Sequence, residues 1–236
     1  MRPTLRLIST SLSVLALSAV APPARAQECV GLPGGRGVLS LGLEGTDGAS
    51  GPGVSFAYQT PGASVQLQHR SLDAFAQSDE ISESEVQAAV RLPRSRLPLC
   101  VTAGVQWTDY EYSEHAGSSW STTDRLRTDN YEILGGYQRL RVPVGISLGR
   151  ELELGRGVSV VPYIQPTVVW ERERLTPGGQ AAETRMGLGW GVNTGVAVAK
   201  DWFVMRANFT HTSTYDRALS SRNNFPGLSV HFGVRF

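Results

Sequence analysis

The sequence predicts an all-β chain, folded as a single antiparallel up-and-down transmembrane β-barrel of about ten strands. Three observations point there. The closing stretch Gly227 to Phe236 (GLSVHFGVRF) puts Leu228, Val230, Phe232, Val234 and Phe236 on one face, and Ser229, His231, Gly233 and Arg235 on the other. That is the period-two pattern of a strand with one oily side. The same alternation recurs along most of the chain. The connections between these segments are by turns long and polar, then tight, as in barrels that cross a membrane with loops on one side and turns on the other.

The elements run as follows. The first, Val38 to Glu44, has Leu39, Leu41 and Leu43 on one face; a Gly-rich turn is expected over Asp47 to Pro52. The second, Gly53 to Gln59, turns at Thr60-Pro61-Gly62, where Pro presets φ and Gly permits a positive one. The third is Ser64 to Leu72, followed by a polar stretch from Asp73 to Ser84, and the fourth is Glu85 to Leu92. The fifth, Leu99 to Tyr112, precedes the longest polar connection, Ser113 to Asn130. The sixth lies between Tyr131 and Glu151, and the seventh, Val158 to Arg172, contains Pro162 and Pro166, which make its boundary uncertain because proline removes a ladder donor. The eighth, Thr184 to Ala199, sets Met186, Leu188, Trp190 and Val192 against alternating glycines. The ninth, Trp202 to His211, leads through a polar stretch, Thr212 to Pro226, to the tenth. Both ends on one side of the membrane require an even count; ten satisfies it, with eight or twelve open because long strands split easily on paper.

The amino terminus reads as an export signal over residues 1–26. Arg2 and Arg6 open it, an apolar run follows from about Leu12 to Ala21, and Ala24-Arg25-Ala26 supplies an A-x-A cleavage site. The apolar run is half of the ~20 residues that a spanning helix needs. Residues 27–37 form a lead-in on the side of the tight turns, and residues 38–236 the barrel domain. The net charge of +1 excludes a case for nucleic-acid binding. A mean hydropathy of −0.15 fits a barrel, in which only alternate residues face lipid. Cys29 and Cys100 are the two cysteines, and export to an oxidising compartment makes them a candidate disulfide that would pin the lead-in under the barrel.

The terminal strand ending in Phe236 resembles the carboxy-terminal assembly signal of Gram-negative outer-membrane β-barrels, and the chain as a whole resembles the porin-like and generic small members of that group. The resemblance implies residence in the outer membrane, contact with its lipid and lipopolysaccharide, and recognition of the last strand by the barrel-assembly machinery. If the oily faces meet lipid, the lumen receives Glu44, Arg70, Glu85, Arg91, Arg139, Arg141, Arg206, His231 and Arg235, among other polar residues. In a narrow barrel such groups form a paired structural network, because unpaired buried charge is expensive; a charge-selective pore is the other reading.

Catalytic signals are few. Gly31 to Gly37 (GLPGGRG) lacks the Lys-Ser/Thr of a phosphate loop, and no cofactor or metal site is expected. His211-Thr212-Ser213 resembles the His-x-Ser of outer-membrane lipid A deacylases, in which His takes the proton of the attacking Ser. The positions where that family's acid should follow hold Asn224 and Phe225, and Asp216 is the nearest acid. An omptin-like protease is resembled in strand count alone. The expected function is therefore a non-enzymatic barrel with an envelope-structural, adhesive or small-solute role, with an acyl hydrolase using His211 and Ser213 as the alternative.

Overall fold

The computed structural model describes residues 29–32, 37–46, 49–60, 62–74, 80–92, 98–116, 131–176, 181–216 and 221–236. The export signal, most of the lead-in and the connection 117–130 lie outside the described residues. A 3-10 turn, Cys29–Gly31, precedes eleven strands: β1 (Gly37–Thr46), β2 (Ala49–Gln59), β3 (Ala63–Ala74), β4 (Glu80–Arg91), β5 (Leu99–Ala116), β6 (Tyr131–Gly149), β7 (Leu152–Gly155), β8 (Val158–Thr176), β9 (Glu183–Lys200), β10 (Phe203–Asp216) and β11 (Ser221–Arg235). Each pairs antiparallel with its neighbours, and β1 pairs with β11 from Val38↔Arg235 to Thr46↔Gly227, so the sheet closes on itself.

β6 and β7 are one stave. Gly149↔Tyr163 and Leu152↔Val160 keep a single register against β8 on either side of a break at Arg150 and Glu151. The barrel therefore has ten staves, the even count the sequence predicts. Through the span that the strands share, closure pairs each stave on both sides, which is what hydrocarbon demands of a spanning β-structure.

Most strands run further than their apolar patterns. β2 begins at Ala49, inside the expected turn; β4 begins at Glu80 rather than Glu85; β10 runs to Asp216 and β11 begins at Ser221. All these extensions are on the side of the long connections. Oily alternation ends where lipid ends, but backbone pairing continues into water, where nothing requires the outward residues to be apolar. Pro162 and Pro166 do not bound β8, which reaches Thr176. The ladder instead skips beside particular prolines: between Ser50↔Asp73 and Gly53↔Arg70 at Pro52, between Ala103↔Val144 and Gln106↔Arg141 at Pro143, and between Gly145↔Thr167 and Leu148↔Ile164 at Pro166. Each lacks the N–H that the missing pair would use.

Burial is inverted relative to a water-soluble domain. Leu41 is 66% exposed, Leu43 71% and Leu228 61%, whereas Glu44 is 2% exposed, Arg206 5% and His231 1%. Trp107, Trp170 and Trp190 stand exposed in the half nearer the long connections, and Trp202, Phe203 and Phe236 at the other end. Two aromatic girdles bracketing an aliphatic band are the mark of a barrel seated in a bilayer.

Candidate functional site in the barrel lumen

The lumen has two halves of opposite character. The half at the tight-turn end is filled by apolar side chains and small serines. Leu32, carried in by the 3-10 turn, packs with Val38, Ala57, Ala199 and Val204. Cys29 packs with Ala89 and Cys100 and is bonded to Cys100, joining positions 71 residues apart. Gly31 lies flat on the Tyr163 ring at φ +64°; a Cβ there would fall 2.0 Å from Cδ1, so only glycine lets the segment pass. The predicted disulfide is thus present, and its effect is to hold a short stopper across the mouth.

The other half is a polar cavity of about 820 Å³, lined by all the barrel's staves and opening toward the long connections. One ion-pair chain girdles about half of its wall. Glu44 on β1 accepts from Gln68 Nε2 (2.6 Å) and Arg70 Nη1 (2.8 Å) on β3, and His231 Nε2 on β11 lies 3.1 Å from its Oε1. Reaching β3 from β1 means crossing β2, and Gly53 clears the way: a Cβ there would fall 2.3 Å from Glu44 Oε1. Arg70 continues the chain to Glu83 on β4. Glu83 also accepts from Gln106, from Thr108 Oγ1 (3.1 Å) and from Arg139 Nη2 (3.3 Å). Further round, Arg141 pairs with Glu171, and the Tyr137 hydroxyl donates to Glu173 (2.7 Å). Arg206 is held by neutral acceptors, Gln66 Oε1 (3.1 Å) and Ser55 Oγ (3.5 Å).

Of the lumen residues expected from the sequence, Glu44, Arg70, Arg139, Arg141, Arg206 and His231 line the interior and take part in these contacts. Glu85 faces the same cavity, half-buried, with no salt bridge among the described residues. Two arginines lie elsewhere. Arg91 has the inward parity but ends β4 at the tight-turn rim, where it is exposed. Arg235 reaches from the same rim to the Asp201 carbonyl at the β9–β10 turn. Both sit beyond the closed floor, in contact with water rather than the cavity.

Sequence reasoning missed the two acids on which the network turns. Glu83 lay before the expected start of the fourth strand, although it shares the parity of Glu85 and Gln87. Glu171 alternates with Trp170 and Arg172 in plain sight. Extending each strand until its parity fails, rather than until its apolar residues stop, would have found both.

His211 and Ser213 share the outward face of β10. The His211 ring lies against the Trp190 indole, with centroids 5.4 Å apart, and Ser213 is buried. No hydrogen bond joins His211 to Ser213 among the described residues. The side chains of Asn224, Phe225 and Asp216 lie outside the described set.

A closed cylinder with charge inside and leucine outside has one stable home. This is a membrane-spanning β-barrel. No protein-family model matches the barrel's sequence, and no characterised protein matches it. Among solved structures it is similar to Ail, the attachment invasion locus protein of Yersinia pestis, in complex with the heparin analogue sucrose octasulfate, at 12% identity over 86% of this chain and 100% of that one (TM-score 0.41). It is also similar to Neisserial surface protein A (13% identity, 85% and 97% covered, TM-score 0.38) and to the outer membrane protease OmpT of Escherichia coli (10% identity, 88% and 97% covered, TM-score 0.41).

Proposed function

We propose that this barrel is a non-enzymatic, non-conducting envelope protein of the outer membrane, exported by a cleaved signal, inserted through recognition of its last strand, and surrounded by lipopolysaccharide. Its cup and long connections face outward, where an adhesive role would reside. One observation carries the reading: the lumen is stopped at the periplasmic mouth by a covalently stapled apolar segment while its far end stays open. A solute entering the cup meets Leu32 packed on Val38, Ala57, Ala199 and Val204, with the buried serines Ser40, Ser55, Ser64, Ser147 and Ser159 filling the wall beside them. The small-solute role is correspondingly disfavoured.

Planar-bilayer recording on the refolded full-length mature chain tests this. The wild type is expected to give no stable conductance steps. Removing the stopper, by deleting residues 27–36 together with Cys100→Ser, is expected to open small ones. Steady wild-type channels would overturn the reading.

The acyl-hydrolase alternative is tested separately. Purified protein incubated with lipid A is expected to release no fatty acid above the level of His211→Ala and Ser213→Ala variants, since the imidazole rests on Trp190. Release that both substitutions abolish would restore the alternative.

A further inference from the structure

We propose that Arg172 and Arg174 form a site on the outer wall of the barrel for the phosphate of an outer-leaflet lipid headgroup. The site deepens the lipopolysaccharide contact of the preceding reading and rests on it.

The argument begins with four residues of β8, Glu171-Arg172-Glu173-Arg174. In solution, opposite charges in such a run would neutralise one another. The pleat forbids this, because successive side chains point to opposite faces. Glu171 and Glu173 turn into the lumen, where Arg141 and Tyr137 engage them. Arg172 and Arg174 turn outward and are exposed. They stand ~7 Å apart, two residues along one strand.

Among the described residues, no acid stands beside them in register. Arg172 is flanked in register by Leu140 on β6 and Met186 on β9, and Arg174 by Gln138 and Thr184. None of these is acidic, and neither arginine joins an ion pair among the described residues. Among the other outward positions of the described strands in this half, the one further lysine or arginine is Arg222, in register with Tyr215 near the start of β11 and three staves from β8.

Depth then selects the ligand. Arg172 lies two residues beyond the exposed Trp170, toward the long connections. Indoles mark the headgroup level, so the two guanidinium groups emerge just above the acyl chains. An arginine is costly at the bilayer midplane, but near the interface that penalty largely vanishes. A planar guanidinium presents paired N–H donors that match two phosphate oxygens. The anion at that depth, fixed to the same hydrocarbon that wets Leu140 and Met186, is the phosphate of a glycolipid in the outer leaflet.

The test titrates fluorescently labelled lipopolysaccharide into the refolded full-length mature chain in zwitterionic micelles. Arg172→Gln with Arg174→Gln is expected to weaken binding at least tenfold, Arg172→Lys with Arg174→Lys to weaken it less, and Lys200→Gln at the opposite rim to leave it unchanged. Enzymatic removal of the lipid phosphates is expected to lower wild-type binding to the level of the Gln double variant. Millimolar inorganic phosphate is expected to displace little label. Equal binding by wild type and the folded Gln double variant would overturn the site, as would equal binding of dephosphorylated lipid. Full displacement by inorganic phosphate would assign the pair to a free anion and overturn the lipid source. A wild type that binds no lipopolysaccharide removes the partner and the site together; binding indifferent to both arginines removes the site alone.

Discussion

Replacing Glu83 by alanine should destabilise the barrel by about 3 kcal/mol, the largest effect expected of any single lumen side chain. Glu83 is 4% exposed and is the common acceptor for Arg70, Gln106, Thr108 and Arg139. Removing it takes the Glu83 carboxylate from Arg139 and one of two carboxylates from Arg70. Breaking a buried pair from one side costs about 3–5 kcal/mol, because the surviving charge stays desolvated. The lower figure applies because the cavity lets water reach Arg70 and Arg139, whose side chains are 18% and 12% exposed. Glu85→Ala, two residues along the same face, should cost under about 1 kcal/mol, since it removes no ion pair. Reversible urea unfolding from lipid vesicles measures both. Equal losses for the two variants would mean that the ion pairs of Glu83 add nothing to the fold.

The second large effect belongs to the staple. Cys29→Ser with Cys100→Ser releases a loop spanning 71 residues of sequence separation. By the chain-entropy argument the unfolded state then gains freedom worth about 4 kcal/mol. Reduction of the wild type by dithiothreitol should match the double variant in the same unfolding assay. Loss of stability should be accompanied by loosening of the stopper, since Leu32 then has only its apolar contacts to keep it on Val38 and Val204. Proteolysis near the amino terminus of the folded, reduced protein should therefore quicken against the oxidised form. If reduction changes neither the midpoint nor the cleavage rate, the bond is incidental to the seal.

Much of the architecture was legible before any coordinates. Period-two alternation needs no tertiary information, and a lipid-facing residue is chosen by solvent rather than by a partner. That is why β9, with Met186, Leu188 and Trp190 against glycine, was found within a residue of its ends. The overhangs above the membrane were not legible, because a paired strand in water looks like a loop when neither face is apolar. The lumen was half legible for the same reason. Parity names which residues point in, and so gives Arg70, Arg141 and Glu44. It is silent on how far along the axis they lie, and Arg91 and Arg235, correct in parity, fall past the floor. The stopper was readable as a cysteine pair but not as a seal: the fit of Gly31 on Tyr163 is a contact between distant segments that no local pattern encodes.

The first and last strands meet along β1–β11, so the cylinder is zipped shut by the two ends of one polypeptide. The Cys29–Cys100 bond ties the leading end to the foot of β5 and turns β1 through β4 into a covalent ring. Its leading strand is therefore anchored at the same end of the cylinder where β11 must dock. A chain oxidised before insertion brings one half of its seam already aligned in depth, and has only the trailing half left to find.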